Sequence, residues 1–327
     1  ANILLSTIMG GMSGSSNADA AMEAKVLVPP MEKSGLSKPF STVITAFSSI
    51  ITPLIPPGIG MILYGTLANA SIGSLFMWGL SIGAFMCVSM IGLTEIIAKK
   101  RGYTPYRRER ATAKEWKRVL KLSWPALMLP VVIIGSIRVG AVSPSEAGAV
   151  AVVYSLILGI VWGEIDGKKF IKAMRESAST IGALMLIVAT AAIYSWILTK
   201  EQLPQVIAEA LLGSVSNKYV FLLVVNLFLL LVGMLMEGAA ATIILVPLLA
   251  PIAQMYGIDL VHFGMVVVFN MSIGGVSPPI GTLMFVTCGV TNCKIKDFLK
   301  EGIPYFMYML ILLMLITYVP FSFSWLY

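Results

Sequence analysis

Two stretches of this chain decide its architecture: Thr52-Pro-Leu-Ile-Pro-Pro-Gly58 and, 222 residues further on, Gly274-Gly-Val-Ser-Pro-Pro-Ile-Gly281. Each interrupts a long apolar run, 41–67 in the first case and 261–290 in the second. Proline lacks the backbone donor and clashes with the preceding turn, so tandem prolines unwind a helix in mid-run. Both runs are therefore expected to be helices broken near their middles. The register that lays Pro56-Pro57 over Pro278-Pro279 also lays Gly11-Met12 over Gly233-Met234, Ala18 over Ala240 and Leu27 over Leu249. It further aligns Pro29 with Pro251 and Gly35 with Gly257. Leu and Ala identities are cheap in an apolar chain, whereas glycines and prolines held in one ungapped register mark an internal repeat.

Composition says what surrounds these breaks. Of 327 residues, 57% are hydrophobic and 12% are charged, about half the charge of a soluble domain. The mean hydropathy is +0.89. Too little polar surface remains to clothe a water-soluble core. A soluble enzyme, a nucleic-acid-binding module and a disordered chain are excluded. The net charge of +7 is concentrated in connectors: 99–121 holds ten Lys/Arg, 164–175 carries Lys168, Lys169, Lys172 and Arg175, and 294–300 has three lysines. Clusters of this kind report orientation by the positive-inside rule and call for no nucleic acid. Cys87, Cys288 and Cys293 form no CxxC pair and His262 is the only histidine, so a structural metal site is not expected.

Continuous apolar segments long enough to cross a bilayer run over 72–98, 119–137, 147–163, 177–199 and 303–325. Two further stretches, 2–30 and 219–256, are interrupted near the middle by small, polar and Gly residues. They read as hairpins that enter the membrane and leave by the same face. With the basic connectors in the cytoplasm, the first hairpin opens to the cytoplasm, the second to the opposite face, and the C-terminus is periplasmic. The expected fold is an all-α polytopic membrane protein with inverted repeats, two re-entrant hairpins and two Pro-Pro-broken helices. The first repeat occupies 1–98, a basic cytoplasmic connector 99–121 and the second repeat 122–327. Because the second repeat extends far upstream of Gly233, about a hundred residues, with about three spans, are expected ahead of Ala1.

Non-helical backbone at membrane depth persists only where it is buried in protein or lines a cavity. In inverted-repeat transporters such breaks hold ions and substrate. At the first hairpin tip, Ser13, Ser15, Ser16 and Asn17 offer neutral oxygens and Gly14 lets backbone approach a ligand, while Asp19 and Glu23 are acids in an apolar setting. At the second tip Glu237, followed by Gly238, reads either as a ligand for a cation or proton or as a cap on the next helix. Pro56 and Pro57, flanked by Ser48, Ser49 and Thr52, form the first break; Asn270, Gly274, Ser277, Pro278, Gly281 and Thr282 surround the second. Hard cations such as sodium prefer oxygen ligands, so these positions suit a cation of that kind, and no other metal and no cofactor is expected. The chain contains no P-loop, HExxH or nucleophile triad, so it is not expected to be an enzyme, and an ion gradient must supply the energy. Arg138 and Glu146, in an outer turn, read as a structural ion pair.

At these motifs the chain resembles the large membrane subunit, the DctM-like M subunit, of the TRAP (tripartite ATP-independent periplasmic) transporters. The resemblance rests on Gly11-Met-Ser-Gly-Ser-Ser-Asn-Ala-Asp19, Val28-Pro-Pro-Met31, Ile55-Pro-Pro-Gly-Ile59 and Trp124-Pro-Ala-Leu-Met-Leu-Pro130. Ser143-Pro-Ser-Glu-Ala147, Met236-Glu-Gly238, Pro247-Leu-Leu-Ala-Pro251 and Ser277-Pro-Pro-Ile-Gly281 extend it to the end of the chain. Ser143 and Ser277 stand where the family often has Thr, which preserves the hydroxyl. The resemblance implies a sodium-coupled importer of organic acids (C4-dicarboxylates, sialic acid or sugar acids) working by an elevator mechanism in the bacterial inner membrane. It also implies two protein partners, a small membrane subunit of roughly four helices and a periplasmic substrate-binding protein. The alternative reading is a stand-alone ion- or proton-coupled organic anion carrier of similar architecture that needs no binding protein.

Overall fold

The computed structural model describes residues 2–103, 112–207 and 217–319. All regular structure among them is helical. In chain order the helices are α1 (Asn2–Ser13), α2 (Ser16–Lys33), α3 (Lys38–Ser48), a short 3-10 turn (Thr52–Leu54), α4 (Ile59–Ala68) and α5 (Ile72–Lys100). After them come α6 (Ala113–Arg138), α7 (Pro144–Val161) and α8 (Gly167–Lys200), then α9 (Lys218–Leu235), α10 (Gly238–Met255), α11 (Leu260–Gly274), α12 (Thr282–Thr291) and α13 (Ile295–Tyr318). The chain forms two compact units, one of Ala1–Thr104 with Ala191–Tyr327 and one of Pro105–Thr190.

In the larger unit the two tandem-proline stretches interrupt the helices where the sequence requires it. Helix α3 stops at Ser48 and α4 resumes at Ile59; α11 stops at Gly274 and α12 resumes at Thr282. Both Pro-Pro peptide bonds are cis. The 222-residue register recurs in the capping chemistry. Ser15 caps α2 and Glu237 caps α10; Ser37 caps α3 and Asp259 caps α11, each by accepting a backbone N–H of the first turn. Past the hairpins Gly35 and Gly257 take positive φ (89° and 69°), the left-handed geometry that glycine adopts without steric cost. Asn69 and Asn292 end α4 and α12 in that same conformation.

Packing repeats the pattern. The first arm of each hairpin lies on the first half of its own broken helix, α1 on α3 and α9 on α11. The second arm crosses to the other repeat, α2 against α12 and α10 against α4. Helix α5 then packs on α1, α4 and α11, and α13 on α3 and α11. Helices α3 and α11 are buried almost all round, which makes them the core of the unit. Close crossings set the spacing. A Cβ at Gly274 would meet the Gly233 backbone at 2.5 Å, and one at Gly10 would meet Thr52 Cα at 2.9 Å. Each is a hairpin arm laid directly on the break of its own repeat.

The smaller unit is simpler. Leu129, Ile133 and Ala147 form a core between α6 and α7, with Val142, Ala151 and Tyr154 packed around it. Thr112 with Glu115, and Ser143 with Glu146, make reciprocal capping boxes. Glu146 accepts from the Ser143 backbone N–H at 2.7 Å, and the side chain of its expected partner Arg138 lies outside the described residues.

Among the described residues six helices are long and apolar enough to cross a membrane: α5, α7, α8 over Gly167–Leu198, α9, α10 and α13. A seventh span arises if α3 and α4, bent by 40° at their break, count as one. The molecule is a multi-pass membrane protein. Exposed Val88, Ile96, Ile160, Leu186, Leu227 and Ile311 suit hydrocarbon. Three boundaries differ from the sequence expectation. Helices α8 and α13 begin inside connectors 164–175 and 294–300, because lysine is a good helix former and Asp166 accepts from the Lys169 backbone N–H at 2.7 Å. Helix α2 retains Pro29 and Pro30, which forfeit backbone bonds only near its end.

The crossings yield a stability prediction. Gly274→Ala should cost about 1–3 kcal/mol, because its methyl group has no room against Gly233. Gly289→Ala, inside α12 with nothing within 4 Å, should be neutral or stabilising by about 0.5–1 kcal/mol. Thermal unfolding in detergent or nanodiscs compares the two.

Candidate functional site

The first hairpin tip is built by a helix end, one left-handed glycine and a helix start. Ser13 ends α1, Gly14 turns the chain with φ of 63°, and Ser15 opens α2 by accepting from the Ala18 N–H at 3.5 Å. A Cβ at Gly14 would sit 2.5 Å from the Pro57 carbonyl oxygen. Only glycine allows this tip to rest on the first break. Ser13, Ser15, Ser16 and Asn17 are half-buried around it, and the Ser15 N–H donates to Ser13 Oγ at 3.3 Å. Asp19, one turn into α2, is 2% exposed. It accepts from the Thr52 hydroxyl at 2.8 Å, with Ser13 as a second donor. Pro56 is buried and Pro57 half-buried.

The second tip has the same plan with different chemistry. Met236 stands where Gly14 stands in the first repeat, and Glu237 caps α10, its Oε2 accepting from Ala239 N–H at 2.9 Å and Ala240 N–H at 3.1 Å. Of the two roles open to Glu237, the cap is the one its contacts display. Gly238 begins α10 beside Met271, to which a Cβ would come within 3.3 Å. In the second break Ser277 is fully buried and its hydroxyl donates to the Ile273 carbonyl at 2.7 Å. Gly274 is buried against Gly233, whereas Pro278, Pro279 and Ile280 are exposed. The Gly275 carbonyl accepts from Leu283 N–H at 2.9 Å and the Gly281 N–H donates to the Ser277 carbonyl at 3.0 Å, so the loop folds back on the half-buried Thr282. Asn270 lies one turn before the break, 0% exposed. Its amide donates to Asn226 Oδ1 at 2.6 Å, Asn226 donates to Thr317 at 2.9 Å, and Asn270 Oδ1 has no hydrogen-bond partner.

The structure thus brings together, within each repeat, the residues that the sequence singled out in two separate places. Tip one meets break one through Gly14–Pro57 and Asp19–Thr52; tip two meets break two through Gly233–Gly274 and Gly238–Met271. The 3-10 turn of the first break also packs on α11, which leads into the second. Sequence reasoning missed Asn2, Ser6 and Asn226, each a buried polar residue on a first hairpin arm. A polar residue inside an apolar run is the signal that would have found them.

This arrangement occurs in a chain that matches, over residues 1–321, the family model described as "Tripartite ATP-independent periplasmic transporter, DctM component". The chain belongs to the DctM family. It is 35% identical over 320 residues to the sialic acid TRAP transporter large permease protein SiaM of Vibrio cholerae, covering 98% of this chain and 74% of that one. It is 34% identical to the C4-dicarboxylate TRAP transporter large permease protein DctM of Pseudomonas aeruginosa, covering 98% and 75%. To the isethionate TRAP transporter permease protein DctMQ of Oleidesulfovibrio alaskensis it is 38% identical over 310 residues, covering 94% of this chain and 49% of that protein. The chain therefore spans about three quarters of two of these relatives and about half of the third. As a DctM-family member it is a TRAP transporter large permease.

The Asp19–Thr52 contact carries a prediction. Thr52→Val removes a donor from a buried carboxylate and should cost about 1–3 kcal/mol, whereas Thr52→Ser should retain most of the stability. Melting curves of the two variants in nanodiscs test this.

Proposed function

We propose that this permease imports organic acids by sodium-coupled symport, the substrate class being C4-dicarboxylates, sialic acid or sugar acids. The observation that carries the reading is the pairing of each hairpin tip with the tandem-proline break of its own repeat. Both breaks free backbone carbonyls and amides inside the packed unit, and small polar residues surround them. Ser13, Gly14, Ser15, Ser16 and Asn17 with Pro56–Pro57, and Asn270, Gly274, Ser277, Pro278, Gly281 and Thr282 with Gly238, supply the oxygen-rich, sterically open surroundings a hard cation needs. Asn270 Oδ1, buried without a partner, is an acceptor left for such an ion. Bound cations and the N-termini of α2 and α10 would then attract a carboxylate substrate. Asp19 and Glu237 complete the set, Asp19 as a buried acid beside the first tip.

The reading extends to topology and partners. The repeats lie inverted in the bacterial inner membrane, the hairpins re-enter it, and the C-terminus, whose last residues (320–327) lie outside the described ones, faces the periplasm. The repeat over 1–98, the connector 99–121 and the repeat over 122–327 form the functional organisation, and hairpins with broken helices travel as an elevator block against the remaining spans. A small membrane subunit scaffolds the permease and a periplasmic protein delivers the substrate, in keeping with relatives that are named as TRAP permeases.

Uptake into proteoliposomes tests this. Ser13→Ala and Ser277→Ala should each raise the sodium concentration for half-maximal uptake several-fold, with the folded protein retained. Sodium dependence identical to the wild type would refute the ion assignment. Uptake by the permease without a binding protein would favour the stand-alone carrier.

A further inference from the structure

Glu23 lies one turn beyond Asp19 on α2, 0% exposed. Its Oε2 is 2.6 Å from the Ser6 hydroxyl, and its Oε1 has no hydrogen-bond partner. From Ser6 the contacts run on without a gap. Ser6 Oγ is 2.7 Å from Ser48 Oγ, which is 3.0 Å from Asn2 Oδ1; Asn2 Nδ2 is 2.8 Å from Thr45 Oγ1, which is 2.9 Å from the Ser41 carbonyl.

With the Asn2 amide oriented so that its oxygen faces Ser48 and its nitrogen faces Thr45, counting protons gives this chain a direction. A hydroxyl has one proton to give, and an amide oxygen only accepts. Asn2 Oδ1 therefore needs the Ser48 proton, and Ser48, having given it, needs the Ser6 proton. Ser6 can give its proton to Glu23 Oε2 or to Ser48, not to both; a proton on the carboxyl lets the 2.6 Å contact persist with every member of the chain satisfied, whereas an ionised Glu23 takes the Ser6 proton and leaves Asn2 Oδ1 without a donor. With that proton in place, donation runs unbroken from Glu23 through Ser6 and Ser48 to the Asn2 carbonyl oxygen, and from the Asn2 amide through Thr45 to Ser41. Longer alternatives exist, Ser6 to the Asn2 backbone carbonyl at 3.4 Å and Ser48 to that of Thr45 at 3.1 Å. Either one strips a donor from a buried acceptor. An ionised Glu23 would do the same and leave Oε1 as a bare charge in a dry interior.

No facing group offsets that charge. Helix α1 and the 3-10 turn carry no titratable side chain. Helix α3 carries Lys38 at its far end, which pairs with Glu32 at 3.6 Å. Helix α12 carries Cys288, with Cys293 just beyond it. The remaining neighbour, Asp19, is another acid.

We propose that Glu23 is a proton-binding site, and that its bound proton locks the first hairpin onto α3. The atoms involved differ from those assigned to sodium, so the proposal stands apart from the coupling-ion reading. Infrared spectra of the full permease in lipid nanodiscs test it. At neutral pH the wild type should show the carbonyl stretch of a protonated carboxyl, absent in Glu23→Gln and retained in Asp19→Asn. Glu23→Gln keeps a donor toward Ser6, so it should fold and melt as the wild type does near neutral pH. Raising the pH should lower the melting temperature of the wild type more than that of Glu23→Gln. A wild-type spectrum without the band, or a band that survives in Glu23→Gln, would overturn the proposal. If sodium then restores order to an ionised Glu23, a metal cation rather than a proton is the ligand.

Discussion

An unwound backbone in an apolar interior must find partners for its free carbonyls and amides, and the rest of this structure follows from that constraint. Each unpaired peptide group away from water costs free energy comparable to a lost hydrogen bond. Two tandem-proline breaks create such groups at the ends of the two most buried helices of the larger unit, α3 and α11. Part of the debt is met locally, as where Leu283 N–H returns to the Gly275 carbonyl. The remainder is sheltered by the hairpins, whose glycines (Gly10, Gly14 and Gly233) come close enough to cover the breaks with backbone instead of side chains. Small residues at the tips are thus explained by the close packing they permit.

The symmetry of the fold is not matched by symmetry of chemistry. Gly14 lets the first tip seat on Pro57, and that break is largely buried; its counterpart Met236 has no such freedom, and Pro278–Ile280 remain exposed. Ser15 caps α2 with a neutral hydroxyl, whereas Glu237 caps α10 with a carboxylate. The two halves thus share a backbone plan and differ in the contacts that seat their tips.

Much of the fold was legible in the sequence because proline and glycine dictate backbone directly. The break boundaries at Gly274 and Thr282, and the left-handed turns at Gly35 and Gly257, follow from residue type alone. Helix starts inside lysine-rich connectors were not legible, since charge marks a membrane boundary without stopping a helix. The site was legible as a set of places but not as a set of contacts. Thr52 was visible as a polar neighbour of the break, yet only packing reveals that its hydroxyl goes to Asp19, 33 positions away. The Asn226–Thr317 pair, 91 positions apart, lies beyond any local pattern.

The buried polar residues show what the repeats share and where they part. Ser48 and Asn270 occupy the same register on α3 and α11, each facing the first arm of its hairpin, where Asn2 and Asn226 answer them. The crossing of arm and broken helix is therefore held in both halves by an amide, which can donate and accept at once and so fixes the rotation of one helix on the other. In the first half alone the network reaches onto the second arm, through Ser6 to Glu23; the second half has Leu245 at that register, a side chain with no polar group to extend it. One hairpin is thus joined to its broken helix by bonds that depend on a titratable group, and the other by bonds that do not. A difference of this kind lets a change in protonation act on one tip while leaving its counterpart in place.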